Sequence, residues 1–218
     1  GLPHMMPTTE QFAAAMRELG IDKGTRVVAY DALGMFSAPR CWYTLRTFGH
    51  PSVAVLNGGF GAWKAAGLEV ETGPPTTPAP GAAEDWTKDE ASIWDLNAVV
   101  ANAAAGPETP VQFVDARPAP RFEGSAPEPR AGMRGGHVPH SFNVPFGAVV
   151  NDFPRGPLTL KDNDELASVF AAAALVAAAT GSIVRRLNSP LAQCRSVTRS
   201  RGSRRPMMTT TCLETCYR

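Results

Sequence analysis

The first third of the chain alternates short apolar runs with amphipathic segments, and this alternation restricts the fold more than any other feature. Residues 25–30 and 52–56 are β-branched apolar runs with the length of buried strands. Residues 37–49, and the segment that opens at Gly58 and Gly59, carry apolar side chains at helical spacing. Strands that alternate with helices at this pitch predict a parallel sheet flanked by helices, which is the α/β class.

Two capping boxes mark helices on either side of this alternating part. Thr8 begins the first box, which predicts a helix that stops at Gly20. Thr87 begins the second box with Glu90, and the apolar stripe that follows predicts a helix through Val100.

The second half of the chain has fewer regular signals. Residues 111–115 predict a strand that ends in a carboxylate, and a Pro/Gly-rich loop is expected from residue 116 to 145. A final helix is expected from Asp164 to about Ala179. Residues 73–86 are rich in proline and glycine, which is typical of an exposed linker.

The charge of the chain is unevenly distributed. Residues 183–218 hold eight arginines against the single acidic residue Glu214, although the net charge of the whole chain is only +1 at pH 7. Clustered arginine side chains can neutralise phosphate, but nucleic-acid binding sites interleave them with aromatic residues. Here only Tyr217 is aromatic. We therefore expect a basic, poorly ordered tail and no nucleic-acid partner.

The cysteines argue against both a disulfide framework and a metal centre. Three of the four, Cys194, Cys212 and Cys216, lie in the tail, and such sparse usage favours a reducing compartment. Cys212 and Cys216 have no second Cys/His pair to complete a zinc site. No glycine-rich nucleotide loop and no apolar run of about 20 residues occurs. We expect no metal, no cofactor and no membrane span.

Three segments carry a resemblance to a known family. They are GLPHMMP at the start, FSAPRCWYTLRTFGHPSVAVLNGGFGAW at residues 36–63 and VDARPAPRFEGSAPEPRAGMRGGHVPHSFNVPF at residues 114–146. Together they resemble the tandem rhodanese-domain sulfurtransferases, with the closer likeness to the 3-mercaptopyruvate sulfurtransferases. The third segment is the most specific, because many unusual residue types recur in order over thirty positions.

The resemblance implies a rhodanese-like architecture of two incomplete tandem domains. Residues 1–72 are identified as the C-terminal part of a first, non-catalytic domain, and residues 87–180 as the N-terminal part of a second, catalytic-type domain. The linker at 73–86 separates them, and the basic tail at 181–218 follows.

The resemblance also implies an activity. Members of the family move sulfane sulfur from 3-mercaptopyruvate or thiosulfate to a thiol or cyanide acceptor, through a cysteine persulfide and without a cofactor. A thioredoxin-like protein is a suitable thiol acceptor, and the cytoplasm or the mitochondrion is the expected compartment.

Two arginines match the substrate-binding residues of the family. Arg121 and Arg130 correspond to the pair that holds the carboxylate and carbonyl of the donor, and a planar guanidinium suits a carboxylate because it can donate two parallel hydrogen bonds. The alternative is that both are solvated arginines, one of them paired with Glu123 or Glu128.

The match to the family is less complete at the nucleophile and at the proton relay. Cys194, in the segment PLAQCRSVT, resembles the family's persulfide loop but lacks its glycine, and His4 corresponds to the histidine of the relay. Asp31 stands at the nucleophile position of the first domain, where a carboxylate cannot carry sulfur. An alternative function therefore stays open: a catalytically inactive rhodanese-like fragment or isoform that acts as a structural or interaction module.

Overall fold

The chain forms two compact units. The computed structural model describes residues 5–74, 78–152 and 155–173. Of these, the first unit holds the residues between 5 and 93 together with 155–159, and the second holds 94–152 and 160–173.

The first unit follows the predicted alternation of strands and helices. Its main elements are α1 (Thr9–Glu18), β1 (Val27–Ala29), α2 (Ala38–Thr47), β2 (Val53–Val55) and α3 (Gly59–Ala65). Strands β1 and β2 pair in parallel with Val27 opposite Val53, which confirms the predicted parallel sheet. The predicted capping box is also present, since Thr8 and Gln11 exchange side-chain and backbone hydrogen bonds at the start of α1.

An aromatic cluster forms the core of the first unit. The rings of Phe12 and Phe48 stack with centroids 4.1 Å apart, and Trp86 meets Phe12 edge-on at 5.2 Å. Cys41 is 2% exposed and packs in the same core. Trp86 comes from the end of the predicted linker, so this part of the chain contributes apolar surface to the first unit.

Two hydrogen bonds also hold the segment before Trp86 on the first unit. The N–H of Gly81 donates to the carbonyl of Arg17 at 2.8 Å, and Lys23 Nζ donates to the carbonyl of Asp85 at 2.8 Å. The domain boundaries at residues 72 and 86 stay a prediction.

Residues 155–159 return to the first unit after an excursion of some sixty residues. The N–H of Leu158 donates to the carbonyl of Leu33 at 2.7 Å, and the Leu158 side chain is buried. Gly34 lies beneath it at φ +115°, where an added Cβ would stand 2.3 Å from the Leu158 carbonyl oxygen. Only glycine fits this close approach.

The predicted helix start at Thr87 is wrong. Asp89 instead caps a single 3-10 turn at Glu90–Ser92, and the backbone is extended at Ile93. The helix α4 (Leu96–Ala104) begins after Asp95, whose carboxylate accepts from the N–H of Ala98 at 2.7 Å. Two aspartates near Thr87 offer equally good caps, and the structure uses both of them.

The long loop predicted for residues 116–145 is wrong in two places. Strand β3 (Phe113–Asp115) pairs in parallel with a second strand, β4 (Ser141–Asn143), and a short helix, α5 (Ala119–Phe122), lies between them. The Asn143 amide fixes the register, because its Nδ2 donates to the carbonyls of Asp115 and Arg117 at 2.9 Å each.

The remaining elements of the chain are short. They are a 3-10 turn at Phe146–Ala148, β5 (Val150–Asn151), β6 (Thr159–Leu160) and α6 (Asn163–Ala172). Asp162 and Glu165 form a capping box at the start of α6, and Phe170 packs with Val144. The predicted end of this helix near Ala179 lies outside the described residues. Within the described ranges, no helix is long and apolar enough to cross a membrane.

Candidate functional site

The loop after β3 is organised around one arginine, Arg117. Its backbone N–H donates to Asp115 Oδ1 at 2.9 Å, and its Nε lies 3.0 Å from both carboxylate oxygens of Asp115. Its Nη2 donates to the carbonyl of Gly136 at 2.8 Å, and its Nη1 donates to Glu128 Oε1 at 2.7 Å. Arg117 therefore ties the end of the strand to two later points of the loop.

Glu128 lies between two guanidinium groups. Its side chain is 3% exposed, and its Oε2 accepts from Arg121 Nη2 at 2.5 Å while Oε1 accepts from Arg117. The hydrogen bond and charge of Arg121, with a further contribution from Arg117, hold the pKa of Glu128 below its usual range. The hydrogen bond from Arg117 likewise lowers the pKa of Asp115. Both carboxylates are therefore ionised at neutral pH.

Arg121 is partly exposed and uses only one side of its guanidinium. Its Nη2 and its Nε, the latter at 3.4 Å, both face Glu128. No other described residue accepts a hydrogen bond from the guanidinium of Arg121. The pairing of Arg121 with Glu128, which was one of the alternatives in the sequence, is thus present. This pairing does not use the edge of the guanidinium that is formed by Nη1 and the second Nη2 proton.

The structure does not bring Arg130 into this network. Arg130 is exposed, and it forms no ion pair with a carboxylate of the residues that the structure describes. Substrate binding by Arg121 and Arg130 stays a prediction.

His137 fixes the short helix that carries Arg121. Its Nδ1 lies 2.7 Å from the carbonyl of Phe122, which requires the proton on Nδ1, and its ring stacks on Phe122 with centroids 3.8 Å apart. His137 and Asp115 thus hold the loop in shape by hydrogen bonding.

The predicted nucleophile and relay histidine, Cys194 and His4, lie outside the described residues. Within 5–74, 78–152 and 155–173 the one cysteine is Cys41, which is buried in the first unit.

In the first unit, the loop that opens α2 is filled by a carboxylate. Asp31 is 5% exposed and accepts backbone N–H bonds from Gly34 at 2.5 Å, Phe36 at 3.0 Å, Ser37 at 2.7 Å and Ala38 at 2.8 Å. Burial alone raises the pKa of Asp31, but the four backbone donors outweigh it and the pKa lies below its usual range. The donors that could stabilise a thiolate are therefore already occupied.

Sequence reasoning missed Arg117 and treated Glu128 only as one alternative partner. Both residues bind partners that are distant in the sequence. Arg117 reaches Gly136, 19 positions later, and Glu128 binds arginines that lie 7 and 11 positions before it. The available signal was the spacing Asp115-Ala-Arg117, because an arginine two residues after a strand-terminal aspartate can fold back onto it.

Comparisons with known proteins agree with this fold. Residues 3–66 match the rhodanese-like domain. The chain is 38% identical over 169 residues to a probable 3-mercaptopyruvate sulfurtransferase of Schizosaccharomyces pombe, a match that covers 78% of this chain and 56% of that protein. It is 40% identical over 169 residues to 3-mercaptopyruvate sulfurtransferase of Escherichia coli, covering 78% and 57%. The chain thus spans a little over half the length of these relatives.

A solved structure gives the same result. The crystal structure of SseA from Escherichia coli, described as a 3-mercaptopyruvate sulfotransferase with the rhodanese fold, superimposes with a TM-score of 0.67 at 35% identity. The match covers 80% of this chain and 62% of that one. The chain is therefore similar, in sequence and in fold, to the 3-mercaptopyruvate sulfurtransferases, and residues 3–66 carry the match to the rhodanese-like domain.

Proposed function

We propose that the protein is a sulfurtransferase that moves sulfane sulfur from 3-mercaptopyruvate or thiosulfate to a thiol or cyanide acceptor. The observation that carries the proposal is the unused edge of Arg121, held beside β3 in a chain similar to sulfurtransferases. An end-on guanidinium edge donates two parallel hydrogen bonds to a carboxylate, which is the anionic group of mercaptopyruvate.

The charges in the loop support a role for Arg130 as well. Asp115 and Glu128 balance Arg117 and Arg121, so the network of ion pairs is neutral before any ligand binds. A bound donor adds negative charge. Arg130, on the same loop, supplies a positive charge that no described carboxylate compensates.

The sulfur-carrying step belongs to a cysteine, for which we propose Cys194. Its thiolate attacks the sulfur of mercaptopyruvate, so that a S–S bond forms and the C–S bond breaks. The electron pair of that bond passes to the carbon, which takes up a proton and leaves as pyruvate. His4 is the proposed proton relay, because an imidazole titrates close to neutral pH.

The test is the mass of the protein after incubation with mercaptopyruvate or thiosulfate. We expect a gain of one sulfur atom, lost in Cys194→Ser and retained in the control Cys212→Ser. Without the gain in the wild-type chain, the sulfurtransferase proposal fails.

One observation favours a second candidate, an inactive rhodanese-like module. Asp31 fills the loop of the first unit, and Cys41, the one cysteine in the described part of the chain, is buried. Neither group can carry sulfur to an acceptor. If no cysteine gains sulfur while the chain unfolds cooperatively, this second function is the correct one.

The acceptor and the compartment follow from the same proposal. A thiol acceptor such as a thioredoxin-like protein must reach the persulfide, and a reducing compartment keeps that acceptor reduced. We propose the cytoplasm or the mitochondrion.

A further inference from the structure

Glu128 is the residue that decides how Arg121 is presented. A guanidinium has two edges that can each bind a carboxylate: a side edge formed by Nε and Nη2, and an end edge formed by Nη1 and Nη2. Glu128 occupies the side edge of Arg121, with Nη2 at 2.5 Å and Nε at 3.4 Å. The end edge is the one left for a ligand.

Glu128 is itself held in place by Arg117. Four separate contacts fix Arg117: its Nε and Nη2 bind Asp115, its Nη2 also binds the Gly136 carbonyl, and its Nη1 binds Glu128. Because Asp115 and the Gly136 carbonyl fix Arg117, its Nη1 holds the nearly buried carboxylate of Glu128 in a defined position. Arg121 has no comparable second anchor among the described residues.

We propose that Glu128 is a positioning residue, which orders Arg121 so that its end edge faces the carboxylate of a 2-oxo acid donor. This inference rests on the proposed function, because it assigns Arg121 to the donor. It adds that the arginine is ordered before the ligand arrives, so that the ligand does not bear the entropy cost of ordering a long side chain.

The substitution Glu128→Gln distinguishes this positioning role from the alternative in which Glu128 only competes with the ligand carboxylate for Arg121. The amide keeps one acceptor oxygen, which can serve one guanidinium, and places an NH₂ donor against the other. Arg117 keeps its geometry through Asp115 and Gly136, so Arg121 is the group released. The substitution also raises the local net charge by one, which by itself tightens the binding of any anion. A loss of affinity therefore runs against the charge effect.

The experiment is a titration of the full chain with pyruvate, which is mercaptopyruvate without its sulfur, at fixed ionic strength. We expect Glu128→Gln to weaken pyruvate binding about tenfold, the equivalent of ordering one long side chain. The matched control is Glu123→Gln. It makes the same charge change two residues from Arg121, at an exposed glutamate that pairs with no arginine of the described residues. The control should change the affinity less than about twofold.

A double-mutant cycle shows whether Glu128 acts through Arg121. In an Arg121→Lys background the effect of Glu128→Gln should fall below about twofold, because the lysine has no side edge to hold. Additive effects, or tighter pyruvate binding by Glu128→Gln, overturn the inference. A wild-type chain that does not bind pyruvate, or that binds it unchanged after Arg121→Lys, overturns the proposed function and this inference with it.

A measurement on the wild-type chain covers the case in which a variant does not fold. The Arg121 Nε–H should exchange with solvent more slowly than the Nε–H of Arg130, as followed by NMR. Equal exchange rates would show that Arg121 is not ordered by Glu128.

Discussion

Replacing Asp31 by asparagine should destabilise the first unit strongly, although the two side chains have nearly the same shape. The Asp31 carboxylate is almost fully buried and accepts four backbone N–H bonds. Its Oδ2 accepts three of them, from Phe36, Ser37 and Ala38, and its Oδ1 accepts the fourth, from Gly34. An asparagine oxygen can replace Oδ2, but its NH₂ group then faces the N–H of Gly34.

The magnitude follows from these four bonds. A lost charge-assisted hydrogen bond that leaves a buried N–H unsatisfied costs about 1.5–3 kcal/mol, and the other three bonds each lose their charge assistance. The expected loss is about 3–5 kcal/mol, which is a large part of a typical stability of about 5–15 kcal/mol.

The loss of unfolding free energy caused by Asp31→Asn should also depend on pH, and it should be larger at neutral pH than at acidic pH. The pKa of Asp31 is lowered in the folded state, so its contribution is fully present above the unfolded value of about 3.9 and is lost as the pH falls through the folded value. The difference between the wild type and Asp31→Asn is therefore largest at neutral pH and shrinks below about pH 4.

Urea unfolding of the full chain, followed by tryptophan emission, measures this loss, because Trp86 lies in the core of the first unit. Asp95→Asn is the matched control, since asparagine and aspartate cap a helix about equally well. If Asp31→Asn costs no more than the control at neutral pH, or if its cost is the same at pH 3 as at pH 7, the hydrogen-bond argument is refuted.

Three further predictions concern the first unit. Phe48→Ala should lower the free energy of unfolding by about 3–5 kcal/mol in the same urea assay, because the Phe48 ring is fully buried against Phe12; a loss below about 1 kcal/mol contradicts the packing. His50 is 1% exposed and burial lowers its pKa, so unfolding free energy should decrease as the pH falls below about 6.5; His50→Gln should remove that slope between about pH 5 and 7, and a slope that persists rejects the assignment. Gly34→Ala should lower the melting temperature measured by circular dichroism, because the new Cβ meets the Leu158 carbonyl at 2.3 Å, whereas an unchanged melt would refute that close approach.

The parts of the fold that the sequence predicts are those with local signals. The helix after Thr8 is encoded in a box of four residues, and the parallel pair of strands follows from the spacing of two apolar runs. Strand β4 has no such signal. It is three residues long between Pro139 and Pro145, and it exists because it pairs with β3 across a long loop. Local propensity carries no information about that pairing.

The candidate site likewise has a part that the sequence predicts and a part that only the structure shows. The resemblance located Arg121, but the geometry that fixes it depends on Arg117 and Glu128, which meet only when the loop closes. Ion pairs between residues seven and eleven positions apart in an irregular loop have no periodicity to reveal them. Two carboxylates near Arg121 were equally acceptable partners in the sequence, and only the structure distinguishes Glu128 from Glu123.

The return of residues 155–159 to the first unit has a consequence for the order of events during synthesis. Leu33 is made early, but the Leu158 N–H that satisfies its carbonyl is made about 125 residues later. A nascent chain that ends before residue 155 therefore leaves that carbonyl and the surface around Gly34 uncovered. The first unit consequently cannot complete its folding on the ribosome until most of the second unit has been translated.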